Sequence, residues 1–226
     1  MTSLAHEIAT AVLPNKEVSR LEGLRRSTVL FSRAQQADSV YFIESGLVKL
    51  SRTNDNGERI ILEICGAGYL IGEESLAQEA PVYYADAEVL STASVARIPR
   101  NVLAELLATQ ANLAYALVKY LVERRIALAE KVELLCLHGV EYRILFSLAQ
   151  LSKLVKGDGS GYQLPITQLE LADLIGATRE TTSTTLNQLE RRGLVRLSRR
   201  LLTIPSPELL LNAAREKMLH MPDKGM

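Results

Sequence analysis

The sequence predicts an α+β protein with three parts: an N-terminal double-stranded β-helix of the jelly-roll kind, one long helix, and a C-terminal helix-turn-helix with a β-hairpin wing. Three observations lead there. Residues 28–98 break into short apolar runs punctuated by glycine and polar residues. From Asn101 to about Leu137 the chain has neither Gly nor Pro and is rich in Ala, Leu, Glu, Lys and Arg. Past Gly139, capped short helices lead into two apolar runs separated by arginines. The expected division is 1–109 for the roll, 110–138 for the long helix and 139–226 for the C-terminal domain.

In the first part, Val40–Ile43, Leu47–Arg52, Arg59–Ile64 and Ser94–Ile98 are β-branched or alternate in polarity. Asn54-Asp55-Asn56-Gly57 reads as a hairpin turn, since Asn and Gly tolerate the positive φ that tight turns need. Gly46, Gly66, Gly68 and Gly72 recur at bends. Short strands at this spacing make a small antiparallel roll or barrel.

In the long helical segment a break is expected near Thr109–Asn112. Val118, Leu121, Arg125, Leu128, Val132 and Leu135 then follow at alternating spacings of three and four, with Ala111 and Ala114 continuing the series backwards. This is an a/d seam, apolar except at Arg125, which needs a partner or an edge position. The helix must also pack on its own domain. A seam this long calls for a second helix of similar length, so a parallel homodimer is expected.

Composition narrows the class. The chain has 226 residues, 47% hydrophobic and 23% charged, which is ordinary for a globular protein. No run approaches the length of a membrane span and no basic-then-apolar leader opens the chain, so a cytoplasmic protein without membrane partners is expected. Cys65 and Cys136 lie far apart and form no CxxC, as expected of free buried thiols rather than a bridge or metal site. His6, His138 and His220 read as surface or core histidines. HExxH, GxSxG and P-loop patterns are all missing, and 157–161 reads as a surface connection. Neither an enzyme nor a cofactor or metal site is expected.

Net charge is zero, yet Arg191 through Arg200 carries five arginines and no acid. What precedes this stretch decides its meaning. Thr167-Gln168-Leu169-Glu170 is a capping box. Its helix ends at Ile175-Gly176, and Ala172 and Gly176, four apart, are expected on a face lying close to the next helix. That helix opens at Thr178, a capping residue, and ends at Gly193. Four threonines and a serine fill positions 181–185, poor helix formers that make sense on a helix presented to a nucleic-acid groove. Arg179 can donate two bonds to a guanine and Glu180 can accept from a cytosine amine. Leu194–Leu197 and Leu201–Ile204 flank Ser198-Arg199-Arg200 as a wing whose arginines touch phosphate. The candidate DNA-contacting residues are Thr167, Gln168, Thr178, Arg179, Glu180, Ser183, Thr184, Arg199 and Arg200.

At these residues the chain resembles the cyclic-AMP receptor/FNR family. Tyr41 through Val48, Leu70-Ile71-Gly72-Glu73, Glu130-Lys131-Val132 and Ala172 through Leu194 carry the resemblance, and Ala177-Thr178-Arg179-Glu180-Thr181 is its most specific block. The resemblance implies a sensor roll, a dimer helix and a DNA-binding domain. It also implies that Arg179 and Glu180 read a G·C pair in each half-site of a palindromic operator. Thr184 stands where the cyclic-AMP receptor carries a second base-reading arginine, so the operator is expected to be related but not identical.

The resemblance places an effector pocket at Gly72, Glu73, Tyr83, Tyr84 and Leu128, and the pocket has diverged. Glu73 matches the ribose-binding glutamate. Tyr83-Tyr84 replace the Arg-Ser pair that holds the cyclic phosphate, and Leu128-Ala129 replace the adenine-contacting Thr-Ser pair. Cyclic AMP is therefore not expected to bind. Two cysteines cannot supply the four ligands of an FNR-type cluster. Cys65 is a redox candidate beside the commoner structural role. Another ligand, or none, stays open. The expected partners are double-stranded DNA, a second copy of the chain and, for an activator, RNA polymerase. The alternative is a regulatory module acting on a protein partner.

Overall fold

A computed structural model describes residues 3–77 and 80–219; His220 lies outside them. The chain divides into two compact units, Met1–Glu130 and Lys131–Met226. The division falls inside the long helix rather than at either of its ends.

The first unit opens with α1 (Ser3–Glu7), continued by a π-helical turn over Ile8–Val12. Two four-stranded antiparallel sheets follow. One has the order β1 (Ser19–Leu24), β8 (Ala93–Pro99), β3 (Ser39–Ser45), β6 (Leu70–Ile71). The other runs β2 (Val29–Phe31), β7 (Asp86–Val89), β4 (Val48–Thr53), β5 (Arg59–Cys65). The four expected runs are β3, β4, β5 and β8. The sequence reading missed β1, β2, β6 and β7, which are short, rich in polar residues, or both. Between β4 and β5 the Asn54 side chain accepts the amides of Asn56 and Glu58 while Gly57 takes φ +81°, so the expected turn forms.

Strand β3 is buried from Ser39 to Ile43 on both faces, and two cores explain this. Tyr41 and Ile43 face the inter-sheet core with Phe31, Val48, Cys65, Tyr83, Val89 and Val95. Val40 and Phe42 face a second core built with Leu4, Ile8, Leu103, Leu113, Leu117 and Tyr120. A strand covered on both sides reads as a continuous apolar run instead of an alternation. Each large apolar side chain withdrawn this way contributes about 1.5–3 kcal/mol.

Helix α2 (Arg100–Thr109) ends at Gln110, which is extended (φ −119°, ψ 96°), within the expected break. Helix α3 (Ala111–Leu137) then runs 27 residues. Leu113, Ala116, Leu117 and Tyr120 are buried in the core that α3 shares with the roll, so this stretch of the helix packs on its own roll.

The second unit contains α4 (Val140–Leu151), α5 (Gln168–Ile175), α6 (Arg179–Arg191) and α7 (Pro207–Leu219). They pack with a sheet ordered β11 (Arg196–Ser198), β12 (Leu201–Ile204), β10 (Gly161–Leu164), β9 (Gly157–Asp158). Two expectations are corrected here. The 157–161 surface connection holds β9 and the start of β10, and it extends the wing sheet. Gly161 has φ +121° and lies so close to Ile204 O that a Cβ would sit 2.5 Å away, which is why glycine is required there. Cys136 is exposed rather than buried, whereas Cys65 is buried as expected. Helix α7, which packs on α4, was not read from the sequence.

Candidate functional site

The C-terminal site is built from two helix starts and a hairpin tip. At the first start, Thr167 Oγ1 accepts the Glu170 amide at 3.1 Å and Glu170 Oε2 accepts the Thr167 amide at 2.9 Å, the expected capping box. Helix α5 closes at Gly176, whose φ of +61° places it in the left-handed region. This corrects the reading of Gly176 as a close-packing residue: it is exposed, and a Cβ there would meet only Leu135 and Arg143 at 3.5 Å and beyond. Glycine serves the backbone conformation. Ala172 is buried, as a helix-facing residue should be.

Two residues after Gly176, Thr178 Oγ1 accepts the Thr181 amide at 3.2 Å and caps α6. The hydroxyls on this helix divide. Thr182 is fully buried beside Leu186 and Leu189, and its Oγ1 donates to Thr178 O. Thr185 Oγ1 donates to Thr181 O. These two hydroxyls are used by the helix itself and do not face a groove. Arg179, Glu180, Thr184, Asn187, Gln188 and Arg191 are exposed and Ser183 half-exposed. Asn187 and Gln188 were missed by the sequence reading. Their signal was the helical period, three and four residues past Thr184.

Beyond α6, β11 and β12 pair from Arg196↔Thr203 to Ser198↔Leu201, leaving Arg199 and Arg200 exposed at the tip, Arg200 at φ +60°. Glu190 Oε1 accepts the Leu197 amide at 2.7 Å, tying the end of α6 to the wing. Thr167, Gln168, Arg179, Arg199 and Arg200 line one cleft of about 410 Å³ with Ile166, Leu169 and Leu197–Leu202. The remaining candidates, Thr178, Glu180, Ser183 and Thr184, lie on the first turns of α6. Two helix starts and the wing guanidinium groups suit a phosphate backbone, and the exposed stripe of α6 suits base edges.

The roll presents the opposite arrangement. Tyr83 is 2% exposed, stacks on Phe31 with ring centroids 3.9 Å apart, and donates its hydroxyl to Ser39 O at 2.8 Å. It reaches Gly72, where a Cβ would stand 3.1 Å from its ring. Tyr84 points outward, 59% exposed under the Arg52 guanidinium. Glu73 faces Arg124, a residue the sequence reading passed over in favour of Arg125. The Arg124 guanidinium lies 2.6 Å from Glu63 Oε2 and 3.7 Å from Glu73 Oε1, and donates to Tyr120 Oη at 2.9 Å. Tyr120 Oη also accepts the Leu70 amide and donates to Leu70 O. Burial lifts the Glu73 carboxyl above its ordinary range against the opposing pull of Arg124, and it lifts the Cys65 thiol well up. The signal for Arg124 was its place one turn after Tyr120.

Leu128, expected in the pocket and the seam alike, is 59% exposed on α3. Val118, Leu121, Arg125 and Val132 are exposed too, and Leu135 half-exposed. Among the described residues no helix is long and apolar enough to cross a membrane, and no group of three His, Cys, Asp or Glu side chains is placed to hold a metal.

Residues 21–110 match the family model for the cyclic nucleotide-binding domain, and residues 142–213 match the Crp-like helix-turn-helix domain. The chain is 27% identical to the Anaerobic regulatory protein of Bacillus subtilis over 80% of this chain and 77% of that one. It is 30% identical to the Cyclic AMP receptor protein of Thermus thermophilus over 74% of this chain and 76% of the relative. The fold resembles FixK2 from Bradyrhizobium japonicum with a TM-score of 0.75 at 20% identity, covering 86% of this chain and 96% of that one. With its roll, long helix and winged helix-turn-helix, the chain belongs to the CRP/FNR family of DNA-binding transcription regulators.

Proposed function

We propose that this regulator binds a palindromic operator as a homodimer, in the cytoplasm, and that its effector pocket has diverged so that cyclic AMP is neither bound tightly nor required. In this reading residues 1–109 form the sensor roll, 110–138 the dimer helix and 139–226 the DNA-binding domain. The observation that carries it is the 410 Å³ cleft where the α5 cap, Arg179 and the wing arginines converge. A module acting only on a protein partner would leave that convergence without a purpose.

The dimer rests on α3. Val118 and Leu128 are 58% and 59% exposed in the single chain, along with Val122, Ile126 and Val132. An apolar stripe this long on a helix is stable in water when a second helix covers it. A parallel pair sets two reading helices about 34 Å apart, one turn of B-DNA. Activation would add RNA polymerase as a partner.

The diverged pocket rests on charge and space. A phosphodiester anion leaving water needs a charged donor. Tyr83 offers a neutral hydroxyl already bonded to Ser39, and Arg124 is held by two carboxylates.

Selection from a random duplex pool followed by footprinting should return a two-fold symmetric site with half-sites one turn apart. A single asymmetric footprint would overturn the dimer reading. Leu121→Asp with Leu128→Asp should yield a monomer by sedimentation, its operator binding reduced to the non-specific level, a fall of at least about a thousandfold. Calorimetry with cyclic AMP should show no micromolar binding; tight binding that also strengthened operator binding would defeat the pocket reading.

A further inference from the structure

Helix α4 carries two charged residues in its first turns; one holds the end of α5 that leads into α6, and the other holds the C-cap of α6. Arg143 is the stronger. Its Nε donates to His138 O at 2.8 Å, and its Nη1 donates to Ile175 O at 3.1 Å and more weakly to Gly176 O at 3.4 Å. His138 directly follows α3; Ile175 and Gly176 close α5 and open the turn into α6. One half-buried guanidinium therefore pins three main-chain carbonyls from two elements. Two residues earlier, Glu141 accepts Arg192 Nη1 at 2.7 Å and Lys217 Nζ at 2.7 Å. Arg192 is the C-cap of α6, and these partners hold the Glu141 carboxyl below its ordinary range.

The turn between Gly176 and Thr178 is the lever for α6, because the direction of the first helical residues fixes where Arg179 and Glu180 point. Its own ties are local: the Gly176 and Ala177 amides donate to Ala172 O, and Thr178 caps α6 and accepts Thr182 at its carbonyl. We propose that Arg143 is a positioning residue for base readout, setting the angle of α6 through the α5–α6 turn, and that Glu141 steadies the far end through Arg192. Neither side chain belongs to the DNA-contacting set. The geometry required is a planar fork reaching carbonyls on two sides, which an ammonium group cannot reproduce. The Glu141 ties are largely solvent-exposed, so its contribution is the smaller.

This rests on the operator reading above, and the experiment keeps the two apart. In the full-length protein, Arg143→Lys should lower affinity for the selected operator about tenfold and leave a scrambled duplex within twofold, with unchanged dimer mass. Glu141→Gln should lower operator affinity by no more than about threefold. Amide exchange measured without DNA should speed up at Ala177, Thr181 and Thr182 in Arg143→Lys, while β12 and α7 stay as in the parent. Equal loss on both duplexes, or a lysine variant that matches the parent in operator affinity and exchange, overturns the Arg143 assignment. A parent protein that holds both duplexes alike overturns the operator reading instead; the exchange result then still decides whether Arg143 fixes the turn.

Discussion

The interior of the roll and the cleft of the C-terminal unit are both rich in polar side chains, and they differ in where the donors point. In the roll, Tyr83, Tyr120 and Arg124 are all bonded to protein: to Ser39 O, to Leu70, and to Glu63, Glu73 and Tyr120. In the C-terminal unit, Arg179, Arg199, Arg200 and Thr184 are exposed, beside two helix starts that are capped by Thr167 and Thr178. The three side chains of the roll are satisfied within the protein, although the buried Ser75 Oγ, two residues past Glu73, has no partner among the described residues. The second arrangement is satisfied only by water or by a polyanion. The named donors of the roll thus point into the protein, and those of the C-terminal cleft point out of it.

The comparison breaks most visibly at Arg124. Arg124→Ala leaves the Glu63 and Glu73 carboxylates without their shared cation and should cost about 3 kcal/mol of stability by denaturant titration. Base preference at the operator should be unchanged in the protein that remains folded. A destabilisation below about 1 kcal/mol would mean that the roll's network is not closed on itself.

Glu180→Ala sharpens the other half. Its side chain is exposed at the start of α6, so stability should hold while discrimination at one base pair per half-site falls by about 1–3 kcal/mol. Arg199→Ala should be more modest: it weakens all duplexes alike and reduces the salt slope by about one unit for the lost phosphate contact in each subunit. An altered sequence preference in that variant would mean that the wing reads bases.

The smallest expected effect is the pH dependence set by Glu73. Because burial raises its folded pKa above that of a free carboxyl, against the opposing pull of Arg124, the folded protein holds this proton more tightly than the unfolded chain. The contribution is full below the unfolded value and is lost as pH rises through the folded one. Glu73→Gln should remove that part of the decline in stability above about pH 4.5. A parent and variant with parallel stability profiles would show that Arg124 cancels the burial effect completely.

Much of the C-terminal site was legible in the chain. Thr167 and Glu170, three apart, specify a cap whose geometry depends on local backbone alone, and Thr178 and Gly193 mark the start and end of α6 for the same reason. The hydroxyl run at 181–185 was only half legible. Helical period puts Thr182 on the same face as Leu186 and Leu189, but threonine's polarity suggested the groove; packing decided, and the hydroxyl bonded back to Thr178 O. In the roll, β1, β2 and β6 were missed because they are edge strands, which take their identity from the neighbour they pair with, and β7, although interior, is only four residues long and carries Asp86 and Glu88.

What the sequence determined by itself is therefore whatever depends on residues within a turn or two of each other. That includes the Thr167–Glu170 capping box, the Thr178 cap, the Asn54–Gly57 hairpin, the break at Gln110, the three-and-four apolar spacing along α3, and the Arg179-Glu180 pair at a helix start. Tertiary structure alone decided which of two adjacent arginines, 124 or 125, turns inward. It also decided that Tyr83 fills the roll while Tyr84 faces solvent, and that residues 157–164 complete the wing sheet. The physical reason is distance along the chain. Arg124 meets Glu63 and Tyr83 meets Ser39 across dozens of residues, and contacts of that span form only once the sheets have closed and fixed which face of each element meets which core.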